Sequence, residues 1–373
     1  MRSPPENAPQ RRTSLQDVAR LAGVSAAAVS YVVTGRTSEV SARTSEKIEL
    51  AIKELRYKRQ RRGLSLKLNR EFAIGLVVVD PNPSFLADPF TTQVATGLSK
   101  ALMEPGFGLT VSGCSTHEDL ARLMERPIGV DAYVIIASGS ASDRERLYRL
   151  MGDVDLPLVV VQEDAPSGVR DACSVLQDDF GGAQILTRHL IERGTRHLLF
   201  AAPSCPWPAI ERRERGIRAM LGDQGAFAKV ECEEEDFDAT ASAIERYLES
   251  HPLPDAIMGA NDQIAIAALR VLERRGTSVP EQVQVTGYND FPFRNFIRPL
   301  LTTIRSAADE IGRSCAEAVL TRLDRGNFHE RTIEHGVTLD IGGTTTPIID
   351  PPVRASTPAS KARRRPLAAK LPD

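Results

Sequence analysis

Residues 13–33 read Thr-Ser-Leu-Gln-Asp-Val-Ala-Arg-Leu-Ala-Gly-Val-Ser-Ala-Ala-Ala-Val-Ser-Tyr-Val-Val, and this stretch decides the fold of the N-terminus. Its apolar residues recur at i, i+3, i+4 and i+7 over Leu15–Ala22, which predicts an amphipathic helix. Gly23 can turn the chain at positive φ, and Ser25 is a favourable N-cap for a second helix over residues 26–33. The stretch therefore predicts two short helices joined by a tight turn.

A third helical pattern follows directly. Ser41 can cap a helix whose apolar positions over Ile48–Leu55 repeat the same spacing, with basic residues on its polar face. Thr13, with Gln16 three residues later, predicts a capping box at the start of the first helix. Together these signals predict an all-α helix-turn-helix headpiece over residues 13–57, although a helical hairpin can equally be a plain packing unit.

The near-zero net charge of −2 conceals a strongly polarised chain. Residues 1–70 hold 15 Lys+Arg against 6 Asp+Glu, or +9, and residues 351–373 hold 6 against 1, or +5. The middle of the chain carries 26 against 42, or −16. A basic N-terminal module on an acidic body is typical of a nucleic-acid binder with a separate sensing or assembly domain, and two solvated tails are the alternative.

Beyond residue 70, near-continuous apolar runs alternate with amphipathic segments. The apolar runs are residues 72–79, 108–111, 132–137, 158–161, 196–201, 228–232, 256–259 and 282–287. The helical segments include residues 182–192, 209–221, 240–250 and 263–274. Such runs indicate parallel strands covered on both faces, so we expect an α/β core of two doubly wound lobes with a ligand cleft at the carboxyl ends of their strands.

The N-terminal strings resemble a known headpiece. Leu15-Gln-Asp-Val-Ala-Arg-Leu-Ala-Gly-Val-Ser25, Val40-Ser-Ala-Arg-Thr-Ser-Glu-Lys-Ile48 and Ala51-Ile-Lys-Glu-Leu-Arg-Tyr57 are similar to the LacI/GalR family of bacterial transcription repressors. With lower fidelity, Asn261-Asp262 and Val285-Thr-Gly-Tyr-Asn-Asp290 resemble the periplasmic-binding-protein-like effector core of that family. The resemblance implies a sequence-specific regulator, expected to be a repressor. It would bind a palindromic double-stranded operator as a homodimer, under control of a small polar effector that is sugar-like by default.

The resemblance also implies which residues contact DNA. Its base-reading positions fall on Ala26, Ala27 and Tyr31, where alanines allow contact with a thymine methyl but no bidentate hydrogen bond. The full set implied for DNA binding is Thr13, Ser25, Ala26, Ala27, Ala28, Ser30, Tyr31, Thr34, Arg61, Arg62 and Leu66. Residues 58–70 correspond to the hinge helix of the family, in which Leu66 would wedge into the minor groove. A simple basic linker is the alternative.

For the effector, the resemblance places an arginine at Arg213 and an aspartate at Asp262. A guanidinium and a carboxylate suit a polyhydroxyl ligand, although either residue could be an ordinary surface charge and Asp262 could cap a helix. Gln162 stands at another sugar-contacting position. Phe90 and Trp207 are candidates for a stacking surface, with core packing as the alternative.

The predicted boundaries follow from these assignments. A disordered arm (1–12) precedes the headpiece, and the core spans residues 71–350. Lobe 1 is expected over 71–162 and 291–325, and lobe 2 over 163–290 and 326–350, with a disordered basic tail at 351–373. Relative to the family pattern, about five extra residues, Pro81–Phe85, precede Asp88-Pro-Phe90. The resemblance therefore does not define this edge of the ligand site.

The sequence lacks the motifs that mark several other classes of protein. The sequence shows no dinucleotide, Walker, zinc-protease or nucleophile-elbow motif, and its six histidines have no metal-ligand spacing, so we expect no enzyme, metal or cofactor. The five scattered cysteines suit buried thiols in a reducing cytoplasm. Neither a signal peptide nor a membrane span is expected. A solute-binding protein on the same two-lobed fold, or an enzyme on it, remains the competing hypothesis.

Overall fold

The structure is a computed structural model that describes residues 13–57, 69–125, 129–166, 168–234 and 236–347. It forms two compact units, divided between Phe72 and Ala73. The arm, most of the hinge and the basic tail of the sequence analysis lie outside the described residues.

The N-terminal unit is a three-helix bundle. It contains α1 (Leu15–Ala22), α2 (Ala26–Val33), a 3-10 turn (Thr37–Glu39) and α3 (Ala42–Glu54). Its small core consists of Val18, Ala19, Val29, Ile48 and Ala51, all buried. The predicted helix-turn-helix is therefore confirmed.

Serines cap all three helices of this unit. Ser25 and Ser41 accept hydrogen bonds from backbone amides as expected, but the predicted capping box at Thr13 and Gln16 is wrong. Ser14 is the N-cap of α1 and exchanges hydrogen bonds with Asp17. Thr13 instead donates its hydroxyl to the Leu55 carbonyl (3.3 Å), which ties the start of α1 to the end of α3.

From Ala73 onward, strands and helices alternate. Their order is β1 (Ala73–Val79), α4 (Pro89–Met103), β2 (Gly108–Cys114), α5 (His117–Glu125), β3 (Ala132–Ala137), α6 (Ala141–Gly152), β4 (Leu158–Val161), β5 (Ala172–Gln177), α7 (Asp179–Ile191), β6 (His197–Pro203), α8 (Pro208–Leu221), β7 (Ala226–Cys232), α9 (Phe237–Ser250), β8 (Ala256–Gly259), α10 (Asp262–Arg274), β9 (Gln284–Thr286), β10 (Thr303–Arg305), α11 (Ala308–Arg325), β11 (Thr332–His335) and β12 (Thr338–Asp340).

These elements build two parallel sheets, as expected for two doubly wound lobes. The first sheet has the order β11-β5-β4-β3-β1-β2 and the second β7-β6-β8-β9. Separate apolar cores cover both faces of the first sheet, and a third core surrounds the second sheet. A short antiparallel pair, β10 and β12, was not expected.

The predicted lobe boundaries need correction at two crossings. Strand β5 pairs with β4, with Val159 opposite Cys173, and β11 pairs with β5, with Ile333 opposite Val175. The first lobe therefore extends to Gln177 rather than to residue 162, and its last segment runs through β11 instead of ending at residue 325. Parallel strands are usually joined through a helix, but no helix separates β4 from β5. The alternation of strands and helices in the sequence therefore did not indicate β5.

Helices α4 and α11 pack closely on the first sheet because two glycines face the neighbouring backbone. A Cβ atom on Gly97 would collide with the Asp309 carbonyl oxygen, and one on Gly312 would collide with the Val94 carbonyl oxygen. This reciprocal contact fixes α11, which follows the second crossing of the chain, against the first lobe.

Candidate functional site

A cavity of about 110 Å³, partly open to solvent, lies between the two lobes. The first lobe contributes Ala87, Asp88, Phe90, Ile136 and Gln162; the second contributes Trp207, Ala209, Ile210, Arg213, Glu234, Asn261 and Gln263; Asn289 stands at a crossing. Four predicted effector residues, Phe90, Gln162, Trp207 and Arg213, therefore line one cavity.

Three residues other than glycine around the cavity have left-handed backbone conformations. Gln162 has φ of +64°, Asn289 of +102° and Asp290 of +56°. Such conformations are sparsely populated for side-chain-bearing residues and persist where the surrounding structure holds them. The backbone N–H of Gln162 donates to Val175 (3.0 Å), and that of Asn289 donates to Ile304 (2.8 Å). These bonds hold the two lining residues in place.

Arg213, on α8, is held almost entirely by protein groups. Its Nε donates to Asp179 Oδ1 (2.8 Å), Nη1 to the Ala260 carbonyl (2.6 Å) and Nη2 to Asn289 Oδ1 (3.2 Å). The guanidinium carbon lies 3.6 Å from the ring centroid of Tyr288. Arg213 thus lines the cavity while three of its nitrogens are already engaged.

Asp179 is the buried counter-ion of Arg213. The side chains are 1% and 3% exposed, respectively, and Gln177 Nε2 also donates to Asp179 Oδ1 (2.9 Å). Burial raises the pKa of Asp179, whereas the adjacent guanidinium and the two hydrogen bonds oppose this shift. Asp179 was absent from the predicted site because nothing in its local sequence signals a partner 34 positions away.

Asp262 does not line the cavity, which corrects its predicted role as an effector anchor. It is fully buried at the start of α10. Its Oδ2 accepts from the backbone N–H of Phe291 (2.6 Å) and its Oδ1 from the hydroxyl of Thr303 (2.6 Å). Burial raises the pKa of this carboxyl to about 7. Asp262 therefore anchors the chain around a crossing from behind the cavity wall.

Sequence reasoning missed the amides beside Asp262. Asn261 caps α10 by accepting from Ile264 N (2.9 Å), and its Nδ2 donates to Glu234. Asn261 closely follows β8, and Asn289 follows β9 three residues after that strand ends. Position just beyond the carboxyl end of a parallel strand is the signal that could have identified both.

A polar bridge joins the lobes beside the cavity. Arg144, on α6 of the first lobe, shares its Nε–H between the two carboxylate oxygens of Glu163 (3.0 and 2.9 Å), and its Nη2 donates to Glu211 on α8 of the second lobe (2.9 Å). The backbone N–H of Gly139 also donates across the lobes to Pro206 O (2.9 Å). These contacts hold the lobes together next to the ligand site.

The headpiece places part of the predicted DNA-binding set on its surface. Ser25, Ala26 and Ala27 are exposed at the start of α2. The other described members, Thr13, Ala28, Ser30, Tyr31 and Thr34, are half-buried. The Arg36 guanidinium lies 5.6 Å from the ring centroid of Tyr31, and Arg61, Arg62 and Leu66 lie outside the described residues.

The described part of the chain contains neither a metal-binding cluster nor a membrane-spanning helix. No group of three His, Cys, Asp or Glu side chains there could hold a metal ion. Among the same residues, no helix combines the length and apolarity that crossing a bilayer needs. Four cysteines are buried as expected, but Cys205 is half-buried, which corrects that prediction.

Comparison with known proteins agrees with this two-part architecture. The family "Bacterial regulatory proteins, lacI family" matches residues 14–60, and "Periplasmic binding protein-like domain" matches residues 187–345. The HTH-type transcriptional regulator CelR of Thermobifida fusca is 30% identical over 321 residues, covering 84% of this chain and 93% of that protein. The ribose operon repressor of Escherichia coli K12 is 29% identical over 334 residues, covering 86% and 96%.

Solved structures show the same fold. A CelR–cellobiose complex aligns with a TM-score of 0.63 at 28% identity, over 89% of this chain and all of that one. A Lac repressor dimer bound to operator aligns with a TM-score of 0.76 at 24% identity, over 90% and 99%. A helix-turn-helix unit and a two-lobed core with an interlobe cavity define a DNA-binding transcriptional regulator with an effector-binding core. The chain belongs to the LacI family, whose members identified here are regulators rather than enzymes.

Proposed function

We propose that this protein binds a palindromic DNA operator as a homodimer and represses transcription, and that a small polar ligand in the interlobe cavity changes its affinity for DNA. The observation that carries the proposal is a cavity walled by both lobes in a chain with a lacI-type headpiece. A relative named for the ribose operon and a relative's complex with cellobiose support a carbohydrate as the ligand class. We assign it no catalytic role and place it in the cytoplasm with its DNA.

DNA reading is assigned to α2. Ala26 and Ala27 would touch base edges, and the hydroxyls of Ser25, Ser30 and Thr34 would contact phosphates. The remaining proposed contacts are Thr13, Ala28, Tyr31, Arg61, Arg62 and Leu66, with Leu66 as a minor-groove wedge. Because α2 carries no charged or amide side chain, base recognition through it depends on methyl and hydroxyl contacts.

The ligand acts through the arrangement of the lobes. A molecule that touches Phe90 on one lobe and Gln263 on the other favours their closed arrangement. A coupling free energy of about 1–3 kcal/mol between ligand and DNA would change operator occupancy severalfold to a hundredfold. Arg213 contributes chiefly by holding the cavity wall, since Asp179, Ala260 and Asn289 occupy its donors.

The DNA-binding test uses duplexes that the full-length protein retains from fragmented genomic DNA of the organism that encodes it. We expect affinity to fall about a thousandfold or more between 50 and 200 mM salt if roughly 6–10 phosphates are contacted. Replacing thymines of the half-sites by deoxyuridine should weaken binding, because it removes only the methyl group that Ala26 and Ala27 can touch. Salt-independent binding, or a monomer that saturates one half-site, would contradict the proposal.

The ligand-binding test uses the same operator complex titrated with a sugar panel that includes ribose and cellobiose. Gln263→Ala should weaken the ligand response about tenfold or more, since it removes a cavity amide, and leave ligand-free operator binding unchanged. Glu249→Ala, on the exposed last turn of α9, is the control. If neither sugars nor fractions of the cell's metabolites shift the wild type, the core does not sense a ligand.

A further inference from the structure

Helix α2 ends in a turn that folds the chain back along the helix. Gly35 has φ of +75°, a conformation that favours glycine. Its backbone N–H donates to the Val32 carbonyl (3.1 Å), and that of Arg36 donates to the Tyr31 carbonyl (2.8 Å). These two bonds define a Schellman motif, in which the side chains of the residues joined by the wider bond frequently make an apolar contact. The motif therefore brings the side chain of Arg36 next to that of Tyr31.

An arginine takes the place of an apolar residue in this contact. The Arg36 guanidinium carbon lies 5.6 Å from the ring centroid of Tyr31, within the range of a cation–π contact. Such a contact uses none of the five N–H donors of a guanidinium. Among the residues that the structure describes, none forms a hydrogen bond or an ion pair with the exposed Arg36 side chain. Its donors therefore face solvent.

The contact with Tyr31 holds the guanidinium beside α2 rather than beyond its end. Tyr31 lies four residues after Ala27 and therefore on the same face of the helix. Helix α2 has eight residues and is about 12 Å long, which is close to the width of the DNA major groove. If α2 enters that groove, a side chain held at the level of Tyr31 lies within reach of base edges.

The rest of this face offers few groups that distinguish bases. Ala26 and Ala27 present methyl groups, and Tyr31 presents one hydroxyl. The fork of an arginine matches the N7 and O6 acceptors of guanine, and this pair is the commonest specific contact between proteins and DNA. Because the ring of Tyr31 restricts the guanidinium before DNA binds, less entropy is lost when two hydrogen bonds form.

We propose that Arg36, held against the ring of Tyr31, reads one guanine in each operator half-site through the N7 and O6 atoms of that base. The inference rests on the proposed function in treating α2 as the DNA-reading helix. Arg36 lies outside the set of residues that the family resemblance implies for DNA contact. A phosphate contact would instead weaken binding equally on all sequences when Arg36 is replaced.

The experiment uses the full-length protein and the duplexes that it retains from the genome. Each guanine of the half-sites is replaced in turn by 7-deazaguanine, which lacks only the N7 acceptor. We expect one position in each half-site at which the affinity of the wild type falls about threefold or more. The ratio of affinities for the modified and unmodified duplexes is compared between variants, so that a general loss of charge cancels.

Arg36→Met keeps an unbranched side chain over the ring but has no N–H donor, so its affinity should be the same for the two duplexes. Arg218→Met is the matched control, because Arg218 also lies over an aromatic ring, that of Phe227 (3.9 Å), but in the core. It should respond to 7-deazaguanine as the wild type does.

Two further variants test the ring. Tyr31→Phe keeps it and Tyr31→Leu removes it, so the response at the sensitive guanine should persist in Tyr31→Phe and fall about twofold or more in Tyr31→Leu. An undiminished response in Tyr31→Leu would overturn the role of the ring.

A wild type that tolerates 7-deazaguanine at every position would overturn the inference, as would an Arg36→Met protein that responds like the wild type. Uniform weakening of Arg36→Met on all duplexes, with a smaller salt dependence, would assign Arg36 to a phosphate and overturn it as well. These outcomes leave the proposed function intact, whereas failure to retain any duplex would contradict the proposed function and the inference together.

Discussion

Asp262 and Arg213 are charged residues whose hydrogen-bonding capacity is used by the protein itself. Asp262 joins the backbone at Phe291 to the side chain of Thr303. Arg213 joins α8 to Asp179 and to Asn289. In both cases the side chain fixes the backbone next to a crossing, so that uncharged neighbours can face the cavity.

The raised pKa of Asp262 predicts a pH-dependent stability. With a folded pKa of about 7 against roughly 4 in an unfolded chain, the folded state binds this proton more tightly. The stabilisation is fully present below pH of about 4 and is lost as the pH rises through about 7. Asp262→Asn removes the titration but can still accept from Phe291 and donate to Thr303.

Urea unfolding followed by Trp207 fluorescence at pH 5, 6 and 7 checks this. The free energy of unfolding of the wild type should fall relative to Asp262→Asn by up to about 1.4 kcal/mol per pH unit. Asp238→Asn, at an exposed position in the first turn of α9, controls for the amide substitution. Parallel pH profiles for the wild type and Asp262→Asn would contradict the assignment.

Residue roles were less predictable from the sequence than residue positions. Phe90, Gln162, Trp207 and Arg213 line the cavity as the sequence predicted. The error at Asp262 has a geometric cause, because adjacent residues at the start of a helix point in different directions and Asn261 and Gln263 face the cavity instead. The pairing of Arg213 with Asp179 depends on the packing of α7 against α8, which local patterns do not encode.

Among the elements, α4 and α11 show how close contact depends on missing side chains. Gly97 and Gly312 each face the carbonyl backbone of the other helix. Periodicity identified the headpiece helices and most strands, since each has a distinct apolar pattern. It missed β5, in which Ser174 and Gln177 interrupt the apolar run, and β11, which is mostly polar.

Gly97→Ala should therefore destabilise the first lobe. The added Cβ would collide with the Asp309 carbonyl oxygen, and separating two packed helices costs about 1–3 kcal/mol of the free energy of unfolding. Ser99→Ala, on the exposed side of α4, should change stability by no more than about 0.5 kcal/mol. Chemical denaturation of the three proteins provides the comparison, and equal stability of Gly97→Ala and the wild type would contradict the close-contact argument.

At the scale of the whole core, the polar bridge around Arg144 joins the two lobes next to the cavity. The Arg144 side chain is 3% exposed and that of Glu211 is 43% exposed. Glu163 also pairs with Arg144, so Arg144 keeps a counter-ion when Glu211 is neutralised. The bridge can thus be weakened from the second lobe without leaving a buried charge unpaired.

We expect Glu211→Gln to loosen the contact between the lobes. The amide of Gly139, which donates to Pro206 across the lobes, should exchange its hydrogen severalfold faster. Hydrogen–deuterium exchange measures this directly. Glu145→Gln breaks only an exposed ion pair with Arg149 within α6 and should leave the rate unchanged; the same unchanged rate in Glu211→Gln would show that this ion pair does not hold the lobes together.

The alanines at the start of α2 have a consequence for chemically modified DNA. If this helix enters the major groove as proposed, the methyl groups of Ala26 and Ala27 meet whatever group stands at C5 of a pyrimidine. Thymine and 5-methylcytosine carry the same methyl group there. Methylation of operator cytosines at C5 would therefore give Ala26 and Ala27 additional methyl groups to contact. The affinity of this protein for its operator would then depend on the methylation state of the DNA.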